Sequence, residues 1–305
     1  MRIAFFKSLL ETFKADEDTY FLTGDLGYIL FDELKAAAPE RFYNIGVAEA
    51  NMVGISTGLA LCGKSVYCYS IAPFLVMRAY EQIRNGIAGN RLNVKLVGAG
   101  GGFAYGKEGL THFALEDISL MRALPGMTVV VPADPVEAGL LATQSHQWQT
   151  PMYIRLGKTG EKHIHETPPE FIIGKGMTLL KGKDVAIIAA GTMVQRSLEA
   201  AGLLRKKGVS ASVINMHTIK PMDAELVQEL SQTHEAIFTV EEHNINGGLG
   251  SAVAELLAES SYNGLFRRIG IPDELKREIG DGEYLRGIYG LNPEGIFNTI
   301  TKALK

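Results

Sequence analysis

The chain has 305 residues, 46% hydrophobic and 21% charged, with a formal net charge of −4 and a sequence pI of about 6.0; this is the size of two domains and the composition of an ordinary globular protein. No basic block or Lys/Arg stripe offers a nucleic-acid footprint, no stretch reaches the length of a membrane span, and the start lacks the apolar core and small-residue cleavage site of a leader. The two cysteines, Cys62 and Cys68, sit in apolar runs at a spacing that suits neither a disulfide framework nor a metal, so a reducing, cytoplasmic setting is expected.

Along the chain, apolar runs rich in β-branched and aromatic residues at 20–23, 42–45, 66–70, 94–97, 127–131 and 152–156 alternate with helix-like segments at 26–38, 47–61, 73–89, 116–123 and 134–147. Continuous apolar runs between amphipathic helices predict an α/β domain, a mostly parallel sheet covered on both faces, over residues 1–157. Residues 158–183, with their glycines, lysines and a proline pair, read as an extended linker with a short hairpin. A second alternation follows, with strands at 184–191, 210–216, 235–242 and 266–272 and helices at 193–207, 223–232, 249–259 and 292–304. It predicts a smaller α/β domain over 184–305.

Three segments have the make-up of a site. In the first, a strand ends at Ile45 and a helix begins near Val47, placing Glu49 in the first turn, where the helix dipole favours a carboxylate. The helix beyond is nearly free of charge and rich in small residues: Ala50, Gly54, Ser56, Gly58 and Ala60. Glycine inside a helix costs up to about 1 kcal/mol against alanine, so another backbone is expected to pack close, as at a subunit interface. The second segment, 98–117, is a glycine-rich loop between a strand and a helix, the place where α/β proteins put sites. It carries Glu108 and, just before the helix, His112, a residue that titrates near neutral pH. The third begins at Pro73, a helix-start residue; Phe74, Met77 and Tyr80 share one helical face. On these residues alone Glu49 reads equally as a solvated first-turn glutamate, and the Phe74 face as core.

Taken together and in order, the motifs Thr-Gly-Asp-Leu at 23–26, Gly-Val-Ala-Glu at 46–49, Pro-Phe-Leu at 73–75, Glu-Gly-Leu-Thr-His at 108–112, Arg-Ala-Leu-Pro-Gly-Met at 122–127, Pro-Ala-Asp at 132–134 and Glu-Glu-His with Gly-Gly-Leu-Gly at 241–250 resemble the C-terminal two thirds of transketolases. Deoxyxylulose-phosphate synthases and the beta subunits of 2-oxoacid dehydrogenases are similar too. The resemblance implies a pyrimidine-binding domain of the thiamine-diphosphate fold followed by a transketolase C-terminal domain. By that likeness Glu49 is a catalytic carboxylate bonded to N1′ of the aminopyrimidine, Phe74 stacks on the ring, Tyr80 is a second pocket aromatic, and Asp25 is an acid near the cofactor and the dimer interface. His112 contacts substrate hydroxyls and moves protons, Glu108 stands where an aspartate reads a sugar hydroxyl, and Arg155 grips the sugar phosphate.

Two departures carry weight. The family's Gly-Asp-Gly…Asn site for diphosphate and Mg²⁺ has no counterpart here, because the Gly-Asp-Gly at 280–282 follows the last strand with no Asn-Asn after it. The glycines at 100–102 replace a segment where the family puts a substrate-contacting His or Arg. A separate N-terminal subunit carrying the Mg²⁺–diphosphate end is therefore expected, giving a heterotetramer that acts on sugar phosphates by ketol transfer. The alternatives are a decarboxylating synthase or dehydrogenase beta-type subunit, or a non-catalytic paralogue. The Glu241–His243 cluster is expected to be structural.

Overall fold

The structure, a computed structural model, describes residues 1–158 and 160–305. Most of the apolar runs form strands buried on both faces, as helix-covered parallel sheets require, while those at 42–44 and 265–271 lie partly open at sheet edges. In chain order the first half runs α1 (Arg2–Ala15), β1 (Thr19–Thr23), α2 (Asp32–Ala37), β2 (Phe42–Asn44), α3 (Glu49–Leu61), β3 (Ser65–Ile71), α4 (Ala72–Arg78), α5 (Tyr80–Gln82), β4 (Val94–Ala99), α6 (Asp117–Ala123), β5 (Thr128–Val130), α7 (Pro135–Gln147) and β6 (Met152–Leu156). The second half runs β7 (Met177–Leu180), β8 (Val185–Ala189), α8 (Met193–Lys206), β9 (Ala211–Asn215), β10 (Thr218–Lys220), α9 (Ala224–Thr233), β11 (Ala236–Asn244), α10 (Leu249–Ala258), β12 (Leu265–Ile271), α11 (Gly282–Ile288) and α12 (Pro293–Ala303).

The strands assemble into two sheets, ordered β10-β5-β6-β4-β3-β1-β2 and β12-β11-β8-β9-β7. Each is parallel except at one edge, where β10 and β7 run antiparallel to β5 and β9. The fold is thus two domains, each a mostly parallel sheet flanked by helices, and no helix among the described residues is long and apolar enough to cross a membrane.

Several local expectations are corrected. Residues 26–38 give only the short α2, because Gly27 and Ile29 adopt positive φ and cannot start a helix. Residues 73–89 break into α4, α5 and a π turn over Ile83–Ala88. Among its described residues the 158–183 segment forms no hairpin; the one strand there, β7, joins the second sheet through β9.

Helix α1 has no counterpart among the expected elements. Phe5, Phe6, Leu9, Leu10 and Phe13 bury one helical face, and four aromatic edges surround Phe6. Nor has β10, which the second half of the chain adds to the first sheet: Thr218 pairs with Val130, and the Val131 N–H donates to the His217 carbonyl at 2.7 Å. The domains are therefore joined through a shared sheet edge as well as through side chains.

Candidate active site

In a parallel sheet every strand ends on the same side, and ligands bind in the loops beyond those carboxyl ends. Asp25, Glu49, Phe74 and the 100–112 loop follow β1, β2, β3 and β4 respectively, so the topology brings them to one rim.

Glu49 opens α3 and is 2% exposed. Its Oε1 accepts from the Ser70 hydroxyl at the end of β3 at 2.9 Å, and its Oε2 from Arg78 Nη1 at 3.2 Å. It is therefore no solvated first-turn glutamate. Gly24 packs close beside it: a Cβ there would lie 3.3 Å from Ser70 Oγ and 3.6 Å from Glu49 Oε1.

The Arg78 guanidinium lies over the Phe74 ring, 3.9 Å from its centre, and is itself half exposed. His112 meets the same phenyl ring edge-on at 4.8 Å. Its Nδ1 pairs with the Thr111 hydroxyl at 3.0 Å, and Tyr105 tilts against it at 6.2 Å. Glu49, Phe74 and His112 are thus brought together, linked by Arg78. No sequence signal marks what Ser70 and Arg78 do here.

The other expected residues fare differently. Asp25 is exposed, its backbone in the left-handed region at φ 55. Its Oδ1 accepts from Asn44 Nδ2 at 2.9 Å and the Tyr28 hydroxyl at 2.7 Å, which lowers its carboxyl pKa, Asn44 most of all. Tyr80 is half-buried and donates its hydroxyl to the Leu120 carbonyl at 3.3 Å. Glu108 is exposed in the loop.

Arg155 is the clear correction. It is buried, with Nε on Asp117 Oδ2 at 2.8 Å and Nη2 on the carbonyls of Ala114 at 2.6 Å and Glu242 at 3.0 Å. Burial opposes its charge, Asp117, Tyr153 and Glu242 together outweigh that, and the pKa is raised. An arginine fork committed to three internal oxygens is not free to grip a phosphate.

The glycine run is required by this packing. A Cβ on Gly101 would come within 2.5 Å of Arg155 Nε, and one on Gly102 within 2.4 Å of Glu242 Cδ; Gly100 and Gly102 also hold φ of 78 and 65.

A cavity of about 710 Å³ between the domains, touching Gly101, Ala104, Thr192, Arg196, Asp281 and Arg286, does not include Glu49, Phe74 or His112. Asp281 of the Gly-Asp-Gly caps α11, accepting from the Tyr284 N–H at 2.9 Å.

Among the described residues one group, Asp134, Glu137 and His165, is close enough to hold a metal ion. Its carboxylates already accept from Ala133 N, Glu137 N, Ile164 N, His165 N, His165 Nε2 and Asn215 Nδ2. It reads as a structural knot.

The description "transketolase, pyrimidine binding domain" matches residues 1–160, and "transketolase, C-terminal domain" matches residues 174–296. The chain belongs to the transketolase family. It is similar, at 39% identity over all of this chain and 97% of the other, to an apulose-4-phosphate transketolase subunit of Phocaeicola vulgatus. It is 37% identical to a 6-deoxy-6-sulfo-D-fructose transketolase subunit of Clostridium sp., over 97% of this chain and 92% of that one. Among solved structures it resembles a split-gene transketolase described as an inactive beta4 tetramer, with a TM-score of 0.88, 37% identity, and coverage of 99% and 96%. These transketolase relatives are subunits of about this chain's own length, and the expected family and split form stand.

Proposed function

We propose that this subunit supplies the aminopyrimidine half of a thiamine-diphosphate site and transfers two-carbon ketol units between sugar phosphates once a second, diphosphate-binding subunit completes it. The observation that carries the reading is Glu49: a carboxylate withdrawn from water at the carboxyl rim of a parallel sheet, beside a phenyl ring and a histidine. The residues fit that end of the cofactor. Glu49 would bond the ring nitrogen and Phe74 would stack on the ring. Arg78, half exposed, covers the Phe74 face and would have to turn aside for the ring. Nothing comparable among the described residues fits the diphosphate–Mg²⁺ end, since Asp281 is spent on a helix cap and the Asp134 knot on N–H donors.

When bound, thiamine diphosphate supplies the nucleophilic carbon and the electron sink. The chain's own contributions are acid–base and positional. Glu49 holds and returns a proton at the ring nitrogen, a task for which a buried carboxylate is suited. Ser70 fixes its orientation. His112 is placed to bond substrate hydroxyls and relay protons, with Phe74 and Tyr105 limiting its tilt. Asp25 and Tyr80 keep the rim in shape, and Glu108 is free to read a sugar hydroxyl.

The partner reading rests on α3. A Cβ on Gly54 or Gly58 would meet nothing within 4 Å. Leu61 at the end of this helix is 64% exposed, and Val47 just before it 70%. An uncharged helix face left open in this way suits burial against a second copy near a two-fold axis, in a heterotetramer with the missing subunit.

With Arg155 withdrawn from the substrate, the preference for sugar phosphates over pyruvate rests on His112, Glu108 and the relatives. The test is to mix the purified chain with its diphosphate-binding partner, thiamine diphosphate and Mg²⁺. A ketose phosphate plus an aldose is expected to give exchanged sugars. Carbon dioxide released from pyruvate, with no ketol exchange, would move the assignment to a decarboxylating synthase.

A further inference from the structure

The loop that carries His112 is held from the other domain. Its base is closed by a backbone pair between Gly102 and Ala114. One residue into the loop, the Phe103 N–H donates 2.9 Å to Oε1 of Glu242, a residue of β11 in the C-terminal domain. Glu242 is 3% exposed, and its carboxylate also accepts from Arg286 Nε at 2.9 Å and the Thr192 hydroxyl at 3.1 Å. Its own carbonyl takes Arg155 Nη2, the same nitrogen that holds the Ala114 carbonyl. One residue of the second domain therefore grips both sides of the loop base, with Ala114 two positions from His112.

Domain cohesion does not need this contact. The domains are already joined by β10 on the first sheet, by Asn215 on Glu137 at 2.6 Å, and by Lys220 Nζ on the carbonyls of Arg122 and Leu124. None of these touches the loop. The Glu242 contact instead demands special sequence on the loop side: Gly102 sits in the left-handed region, where glycine is favoured, and leaves no room for a Cβ against Glu242 Cδ.

We propose that Glu242 is a positioning residue: by clamping Phe103 through its carboxylate, while its backbone carbonyl holds Arg155 against Ala114, it fixes where His112 stands against Phe74, making the C-terminal domain part of the substrate site. This rests on the reading of His112 as a substrate-contacting residue. A misplacement of about 1 Å at such a residue costs up to about 100-fold in rate, so a loosened loop has a measurable consequence while the fold persists.

The test combines hydrogen exchange on the full chain with kinetics of the reconstituted complex, for Glu242→Gln, Glu242→Ala and Gly102→Ala. Glu242→Ala leaves the buried Arg286 with Glu283 alone; should it fail to fold, Gly102→Ala presses on the same contact from the loop side without removing a buried charge. Both disruptive variants are expected to speed amide exchange over residues 102–114 about tenfold, leaving β4 and β11 protected. KM for the sugar phosphate should rise about tenfold with a smaller change in kcat. Glu242→Gln, which keeps an acceptor for the Phe103 N–H, should restore most of both. Unchanged loop exchange in Gly102→Ala overturns the proposal, and so does faster exchange with unaltered KM. If the wild-type complex transfers no ketol unit at all, the functional reading fails instead, and the exchange data still decide whether Glu242 holds the loop.

Discussion

Glu49 and Glu241 are both buried carboxylates at 2% exposure, each beside the first turn of a helix. They differ in what satisfies their oxygens. Both oxygens of Glu241 accept from the Leu249 and Gly250 N–H groups at the start of α10, at 2.7 and 2.8 Å, and burial pushes its carboxyl up to about 7 against the pull of those donors. Next to it, His243 accepts from the Ser119 N–H and places Nδ1 on the Asn244 carbonyl at 2.7 Å. The partners of the side chains in the Glu241–His243 segment are fixed backbone, the buried Arg286 and the half-buried Thr192 hydroxyl. Glu49 instead has one hydroxyl and one half-exposed arginine, and that arginine can leave. Burial is the same in the two places; an exchangeable partner is what marks a carboxylate available to a ligand.

The two arginines put that contrast to its hardest test. Arg155→Met strands Asp117, whose Oδ1 already has no partner, leaving Oδ2 only the Tyr153 hydroxyl at 2.6 Å. Removing one partner of a buried ion pair costs about 3–5 kcal/mol, readable as a lower urea midpoint. Arg78→Met leaves the buried Glu49 with Ser70 alone, but at a position water can reach, and is expected to cost less, about 1–3 kcal/mol. Equal costs would erase the distinction.

Acid should come next in size and strike the structural region. Burial holds His217 and His243 down to about 4 against an ordinary 6.5. The unfolded chain therefore binds protons that the folded one refuses, and their contribution, complete above about pH 6.5, is lost as pH falls through 4. Glu241, raised from 4.5 to about 7, works the other way, gaining stability as pH falls across the same window. On these three groups alone, two histidines against one glutamate leave a loss of about 2–3 kcal/mol between about pH 7 and 4.5, which His165 and Glu116, both raised, reduce. Urea unfolding at the two pH values measures it, and a flat profile would contradict the burial argument.

Phe74→Leu is the smallest change. Losing an aromatic face is worth about 1 kcal/mol, so cofactor affinity of the complex should weaken a few-fold, with the melting temperature unmoved.

Much of the fold is legible in the sequence because burial on both faces leaves apolar runs at 66–70, 94–97 and 152–156, interrupted only by Ser70, Lys95 and Arg155. Helix α1 is legible as well, in the spacing of Phe5, Phe6, Leu9, Leu10 and Phe13, but an apolar patch at the start of a chain invites comparison with a leader first. Strand β10 is not: three residues carry no period, and its partner lies about 90 positions away. At the site, Glu49, Phe74 and His112 follow from strand-to-helix transitions that a linear motif records. Arg155 does not, because whether an arginine faces substrate or Asp117 depends on packing that no local motif contains. The glycines at 100–102 resemble a missing substrate contact, and their reason, Arg155 and Glu242 lying against them, comes from two other strands.

The most direct measurement is Glu49→Gln, assayed for ketol transfer and for melting temperature on one preparation of the two-subunit complex. The account predicts a loss of about 10²- to 10⁴-fold in kcat, the range for removing a general acid–base group, with the melting temperature and subunit assembly unchanged. Retained activity, or a loss of activity that only follows loss of the fold, would make Glu49 one more structural carboxylate like Glu241.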